Sequence, residues 1–180
     1  VDELAGFAKI TNQRVSDSLI DPKRFLDETL RAFNNHPHFS RMRTRITVRH
    51  EGVFFSDPDR LQAVLLNVVK NCFDYCDVGK TTSELMIDVF VKTNKMVVEV
   101  FDNGIGIPSA IVDRVFDLFY RASALSVGPG VGLYIAREAA ARLGGTISLQ
   151  SEYGMGTSVQ IEIPNSRKGR LVNQKRSLHP

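Results

Sequence analysis

A chain of 180 residues, 43% apolar and 24% charged, is long enough to bury one full domain core and carry a helical extension without a disulfide or metal staple. Its composition excludes a mini-protein and a disordered, collagen-like or low-complexity chain; no apolar run approaches the ~18 residues of a membrane span, and no basic-then-apolar leader opens the sequence, so a soluble chain is expected. The formal charge of +3 rests on Arg167, Lys168, Arg170, Lys175 and Arg176 in an acid-free final stretch; without them the remainder stands at −2, which gives no electrostatic case for nucleic acid.

Val1, Leu4, Ala8 and Val15 recur at helical spacing between polar residues and predict an amphipathic helix over 1–19. Asp21-Pro22 supplies a cap and a first-turn proline for a second helix over 22–33. His36-Pro37-His38 ends that helix, and 46–48 and 53–55 read as two short strands across a turn at Glu51-Gly52. Ser56-Asp57-Pro58-Asp59 repeats the capping pattern before a helix over 59–75, whose core face carries Leu61, Val64, Leu65, Val68 and Val69. Cys72 and Cys76, four apart on that helix, read as small buried reduced thiols of a cytosolic protein; neither a disulfide framework nor a zinc site follows from them.

Strict alternation at Leu85, Ile87, Val89 and Val91, a turn at Thr93-Asn94-Lys95, then Met96, Val98 and Val100 predicts an antiparallel hairpin. A glycine-rich turn at 102–108, a short helix to Phe116, a loop with Gly128, Gly130 and Gly132, a helix over 131–143 and two closing strands at 146–151 and 157–163 follow. Helices interleaved with mostly antiparallel strands argue for an α+β sandwich with helices on one face. The basic segment 165–180 reads as a solvated tail.

Three groups of residues carry chemistry. Asn67 and Asn71, four apart on one helix, project their amides from one face; an amide oxygen is a hard neutral ligand suited to Mg²⁺, which takes its remaining oxygens from water and phosphates. Asp102-Asn103-Gly104-Ile105-Gly106-Ile107-Pro108 follows a strand, and a carboxylate at an apolar strand end would accept from the N6 amine of adenine where guanine presents an opposing O6 acceptor. Gly128-Pro129-Gly130-Val131-Gly132-Leu133 opens a helix, whose free N–H groups and dipole suit a phosphate.

The order Asn67-xxx-Asn71, Asp102-x-Gly104-x-Gly106, Val115-Phe116-Asp117-Leu118-Phe119-Tyr120-Arg121, then Gly128-x-Gly130-x-Gly132-Leu133 resembles the N, G1, F and G2 boxes of the catalytic and ATP-binding domain of sensor histidine kinases. Gly154-x-Gly156-Thr157 fits as well, and the likeness covers residues 46–164. It implies a Bergerat-type two-layer sandwich, a mixed and mostly antiparallel sheet backing three helices, with a catalytic domain over 21–164. Residues 1–20 then look like the end of a dimerisation hairpin helix.

Carried over position by position, the resemblance implies Asn71 on Mg²⁺, Asn67 along the phosphates, and Asp102 on the adenine amine with water shared by Thr157. Gly104, Gly106, Ile107, Tyr75 and Leu133 would wall the base, 122–127 would form a short lid, and Gly130 and Gly132 would bring backbone amides to the phosphates, with Arg121 beside them. The cofactors implied are ATP and Mg²⁺. The γ-phosphoryl group would go to a histidine on a dimerisation hairpin outside this chain, for relay to a response regulator, in a cytoplasmic domain without membrane contact whose full-length form is a homodimer.

The chain departs from that pattern at Asp74, where many members have lysine, and at Pro129, which removes a backbone donor. His36, His38, His50 and His179 sit outside any phosphoacceptor context. Two other readings stay open on sequence: a nucleotide-sensing module or pseudokinase, and a protein-serine kinase of the same superfamily, against which the N-terminal helix argues.

Overall fold

The computed structural model describes Ala5, Ala8 and residues 14–120 and 129–166. Its elements run β1 (Ser18–Ile20), α1 (Pro22–Arg31), β2 (Met42–His50), β3 (Phe54–Ser56), α2 (Pro58–Asp74), β4 (Ser83–Val91), β5 (Lys95–Asp102), α3 (Gly132–Arg142), β6 (Thr146–Glu152) and β7 (Gly156–Pro164), with 3-10 turns at Phe39–Arg41 and Ser109–Arg114. The main sheet has strand order β2-β4-β5-β7-β6. The β2–β4 pair is parallel and the other three pairs are antiparallel.

Period-two patterning gives β4 one buried face of Leu85, Ile87, Val89 and Val91, while Glu84 and Asp88 stay outside. Leu61, Val64, Leu65 and Val68 of α2 join those residues, with Val98 and Val100 of β5 and Ile161 and Ile163 of β7, in one core. Ala136, Ala139 and Ala140 of α3 are fully buried, and such small side chains let α3 lie close beside α2. The result is the expected sandwich of a mixed sheet with helices on one face. No helix of the described residues is long and apolar enough to cross a membrane.

Both Asp-Pro pairs act as helix starts. Asp21 Oδ1 accepts from the N–H groups of Lys23 and Arg24 at 3.0 and 3.2 Å, and Asp57 Oδ1 accepts from Arg60 N at 3.0 Å. Asp57 also binds the Arg60 guanidinium at 2.7 Å and the Ser16 N–H at 2.6 Å. Burial pushes its carboxyl up, but the two N–H donors and the guanidinium outweigh that and hold it below the ordinary carboxylate range.

Several local expectations change. Ala5 and Ala8 are helical, but the helix does not extend to residue 19: 14–17 are irregular and Ser18–Ile20 is a strand. Ile20 is buried there, and β1 pairs antiparallel with β3. That pairing also takes β3 away from β2, so the two strands around Glu51-Gly52 do not form a hairpin; β2 lies along β4 instead. The short helix before Phe116 is a 3-10 turn, and Cys76 lies past the end of α2, although both cysteines are free and buried as expected. At the far end, Asn165 accepts from Phe55 N at 3.1 Å and donates to Val53 O at 2.7 Å, and Ser166 bonds Asp17, so the exit of β7 is tied to the β1–β3 pair.

Asp57→Ala removes a cap and the carboxylate facing a buried guanidinium together, and should lower stability by about 3 kcal/mol at neutral pH in urea unfolding. Because the folded carboxyl is held below its ordinary range, this contribution is lost as pH falls through that depressed value; the gap between variant and parent should therefore narrow in acid.

Candidate functional site

A cleft opens between α2, the N-terminus of α3 and the turn after β5, floored by Leu149 of β6 and Thr157 and Val159 of β7. Asn67, Lys70, Asn71 and Tyr75 line it from α2 and its cap, Asp102, Gly106 and Ile107 from the G1 turn, and Gly130, Val131, Gly132 and Leu133 from the start of α3. Val115, Tyr120 and Pro129 complete its rim among the described residues. Ten of the predicted site residues thus meet in one place. Gly104 stands behind the wall, while Arg121 and the lid expected at 122–127 lie outside the described residues.

Asp102 is 7% exposed. Its Oδ1 accepts from Gly104 N at 2.8 Å, which turns the chain back on itself, and the residue lines the cleft. A side chain at Gly104 would stand 2.4 Å from Tyr75 O, so only glycine lets the turn come this close to the end of α2. Gly106 adopts φ +66°, and Ile107 N donates to Ser151 Oγ at 2.8 Å. Lys80 Nζ straps the same turn by donating to Asn103 O at 2.6 Å and Gly154 O at 3.0 Å.

Burial raises the Asp102 carboxyl to about 6, against the Gly104 N–H, the Cys72 thiol and the Lys80 charge, which favour the anion. Burial and the neighbouring carboxylate together push Cys72 well up, so it stays a neutral thiol, and its Sγ donates to Val68 O at 3.4 Å. Thr157 is the cross-strand partner of Asp102. Its hydroxyl lies 2.9 Å from Ser151 Oγ, which already donates to Gly156 O at 2.7 Å. Thr157 must therefore be the donor of that pair, and its lone pairs remain for a cleft ligand or water.

At the other end, Asn67 Nδ2 donates to Ala63 O at 2.8 Å, and a side chain at Gly132 would come 3.1 Å from Asn67 Oδ1. The Asn67 amide oxygen therefore faces the start of α3, where Val131 provides no side-chain cap and the first N–H groups stay available. Among the described residues, no group of three or more His, Cys, Asp or Glu side chains is placed to hold a metal. A cation bound here would rest on an amide oxygen and on its ligand's own oxygens, a donor set that fits Mg²⁺. Asn71 meets that requirement: it lines the cleft and its side chain makes no hydrogen bond to the described residues.

Sequence reasoning missed Lys70, Ser151, Lys80 and Cys72. Asp74, expected to face phosphates without an ammonium, is instead 7% exposed at its side chain and paired with Lys70 and His36. The i,i+4 spacing of Lys70 and Asp74 was the available signal.

The model of the family described as histidine kinase-, DNA gyrase B-, and HSP90-like ATPase matches residues 56–167. The sensor protein kinase WalK of Staphylococcus epidermidis is 30% identical over 172 residues, covering 91% of this chain and 28% of its own length. WalK of Staphylococcus aureus is 31% identical over the same length, 91% of this chain and 40% of that protein. The chain thus spans well under half of the curated relatives it matches. Among solved structures, full-length ShkA in complex with AMPPNP aligns at TM-score 0.75 and 20% identity over 91% of this chain and 34% of that one. The Acinetobacter baumannii histidine kinase AdeS aligns at TM-score 0.72 and 20% identity over 92% and 76%. At that identity these likenesses establish the fold, a Bergerat-type sandwich.

Asp102→Asn keeps an acceptor for Gly104 N and removes the buried charge. A carboxyl raised to about 6 contributes stability that is present in acid and lost as pH rises past that value. Between pH 5 and pH 8 the variant should therefore gain about 1 kcal/mol relative to the parent chain in paired urea unfolding curves; a pH-independent difference would show that the carboxyl titrates normally.

Proposed function

The chain belongs to the histidine kinase-, DNA gyrase B- and HSP90-like ATPase family, and on that footing we propose that it is the catalytic ATP-binding domain of a sensor histidine kinase. The observation that carries this reading is the polarity of one cleft. A buried carboxylate across from Thr157 stands at an apolar end, and paired amides face an uncapped helix start at the other. A purine with an exocyclic amine suits the first end and a polyanion the second. The neighbouring fold of ShkA is described in complex with AMPPNP, which supports the assignment.

In this reading Asp102, held by Gly104 N, accepts from the adenine amine, and Thr157 adds a second acceptor through water. Tyr75, Ile107 and Leu133 give the base its apolar walls. Asn67 and the first N–H groups of α3 orient the phosphates, and Asn71 supplies an oxygen to Mg²⁺. Held there, Mg²⁺ would supply charge neutralisation to the polyphosphate. Phosphoryl transfer needs mainly positioning and charge compensation from the protein, so the domain can act without a nucleophile of its own. An amide at position 67 cannot take a proton from water, which directs the γ-phosphoryl group to an imidazole on a dimerisation hairpin outside this chain. From there it passes to a response regulator, in a homodimeric cytoplasmic assembly.

Labelled ATP mixed with this domain and a histidine-bearing hairpin should leave acid-labile phosphate on the hairpin; nucleotide binding without transfer would instead mark a sensor module. Asn71→Ala should abolish magnesium-dependent binding in calorimetry, and unchanged affinity would remove Asn71 as the metal ligand.

A further inference from the structure

Among the described residues lining the cleft, the charged side chains are Asp102 and Lys70. Asp102 belongs to the base end, which leaves Lys70 as the cation that the described lining offers to a polyphosphate. Its ammonium rests 2.5 Å from Asp74 Oδ2, one helical turn further along α2. The other oxygen, Asp74 Oδ1, lies 3.1 Å from His36 Nε2. His36 Nδ1 accepts from His38 N at 3.3 Å, which assigns the ring proton to Nε2 and makes His36 the donor.

The two donors to Asp74 differ in freedom. His36 is packed against Phe73 and Phe33, with ring centroids 5.3 and 6.5 Å away. Lys70 is 39% exposed on a flexible stem, and the Asp74 side chain is 7% exposed. A lysine placed N-terminal to its acid at this spacing is also the weaker orientation of a helical pair. Lys70 can therefore leave without stripping a buried carboxylate of its last donor, because His36 stays. Residues four apart share one helix face, so an ammonium on Lys70 reaches the region that a lysine at position 74 would serve.

We propose that Lys70 is the phosphate-contacting cation of this cleft: it exchanges the Asp74 carboxylate for the bound polyphosphate while His36 retains Asp74. This rests on the reading of the cleft as an ATP site and adds to it a ligand contact that the motif pattern places elsewhere.

Calorimetry of the chain with adenosine, ADP and ATP, the last two with Mg²⁺, tests it. In the unaltered chain affinity should rise from adenosine to ATP. Lys70→Met should weaken ATP by about tenfold to a hundredfold, the range of a charge-assisted contact, and leave adenosine unchanged, while Lys70→Arg keeps most of the ATP affinity. Asp74→Asn should hold or tighten ATP binding, since it frees the ammonium. ATP affinity within twofold of the parent for Lys70→Met, or an equal loss of adenosine and ATP, overturns the proposal. Absence of heat with all three ligands in the unaltered chain overturns the ATP-site reading itself, and this inference with it.

Discussion

The cleft is organised around a carboxylate that its surroundings penalise for being charged. Asp102 ends a strand on the same buried face as Met96, Val98 and Val100, and the fold keeps it there with a turn-closing N–H, a neutral thiol and a lysine strap. None of these donors fully offsets the desolvation, as the raised carboxyl shows. A buried acceptor left with spare capacity favours any ligand that brings a matched donor and strongly disfavours one that brings an acceptor. Glycines at 104 and 106 follow from the same constraint, since the turn must pass within contact distance of the end of α2 and the β6–β7 connection.

The opposite end of the cleft follows different physics. There the fold offers neutral dipoles, the amides of Asn67 and Asn71 and the first N–H groups of α3, in place of a deep ion. Such groups compensate a polyanion at a smaller desolvation cost than a buried ion would carry. Among the described residues, the nearby ammonium of Lys70 is kept on an acid that has a second, packed donor. Charge can thus be redistributed at this end while the backbone stays as it is.

Much of this was legible in the chain. Period-two alternation in β4 and β5 and the two Asp-Pro starts pointed to the hairpin and the helices, because each is a local signal; the site residues came from the ordered motifs and their resemblance to a known family, each motif being weak taken alone. Pairing partners were not local. Which strand lies beside β2 depends on Ser18–Ile20 claiming β3, and three residues before a helix cap carry no pattern that distinguishes a strand from a helix end. Ser151 was similarly hidden: its role comes from meeting Ile107, Gly156 and Thr157 at once, a convergence that only the closed sheet creates. Asp74 was read from the motif alone, and its two partners, Lys70 one turn earlier on α2 and His36 from the turn after α1, compensate its charge.

The chain enters and leaves the packed body at one corner, where Ser16 meets Asp57, Ser166 meets Asp17, and Asn165 meets β3. The corner coincides with the first turn of α2, while Asn71 sits fourteen residues along that helix, about 20 Å away at 1.5 Å per residue. Because α2 is buried in the core and packed along α3, a rotation of about 10° of the whole packed body about that corner would carry the amides through an arc of about 3–4 Å with the cleft's internal geometry unchanged.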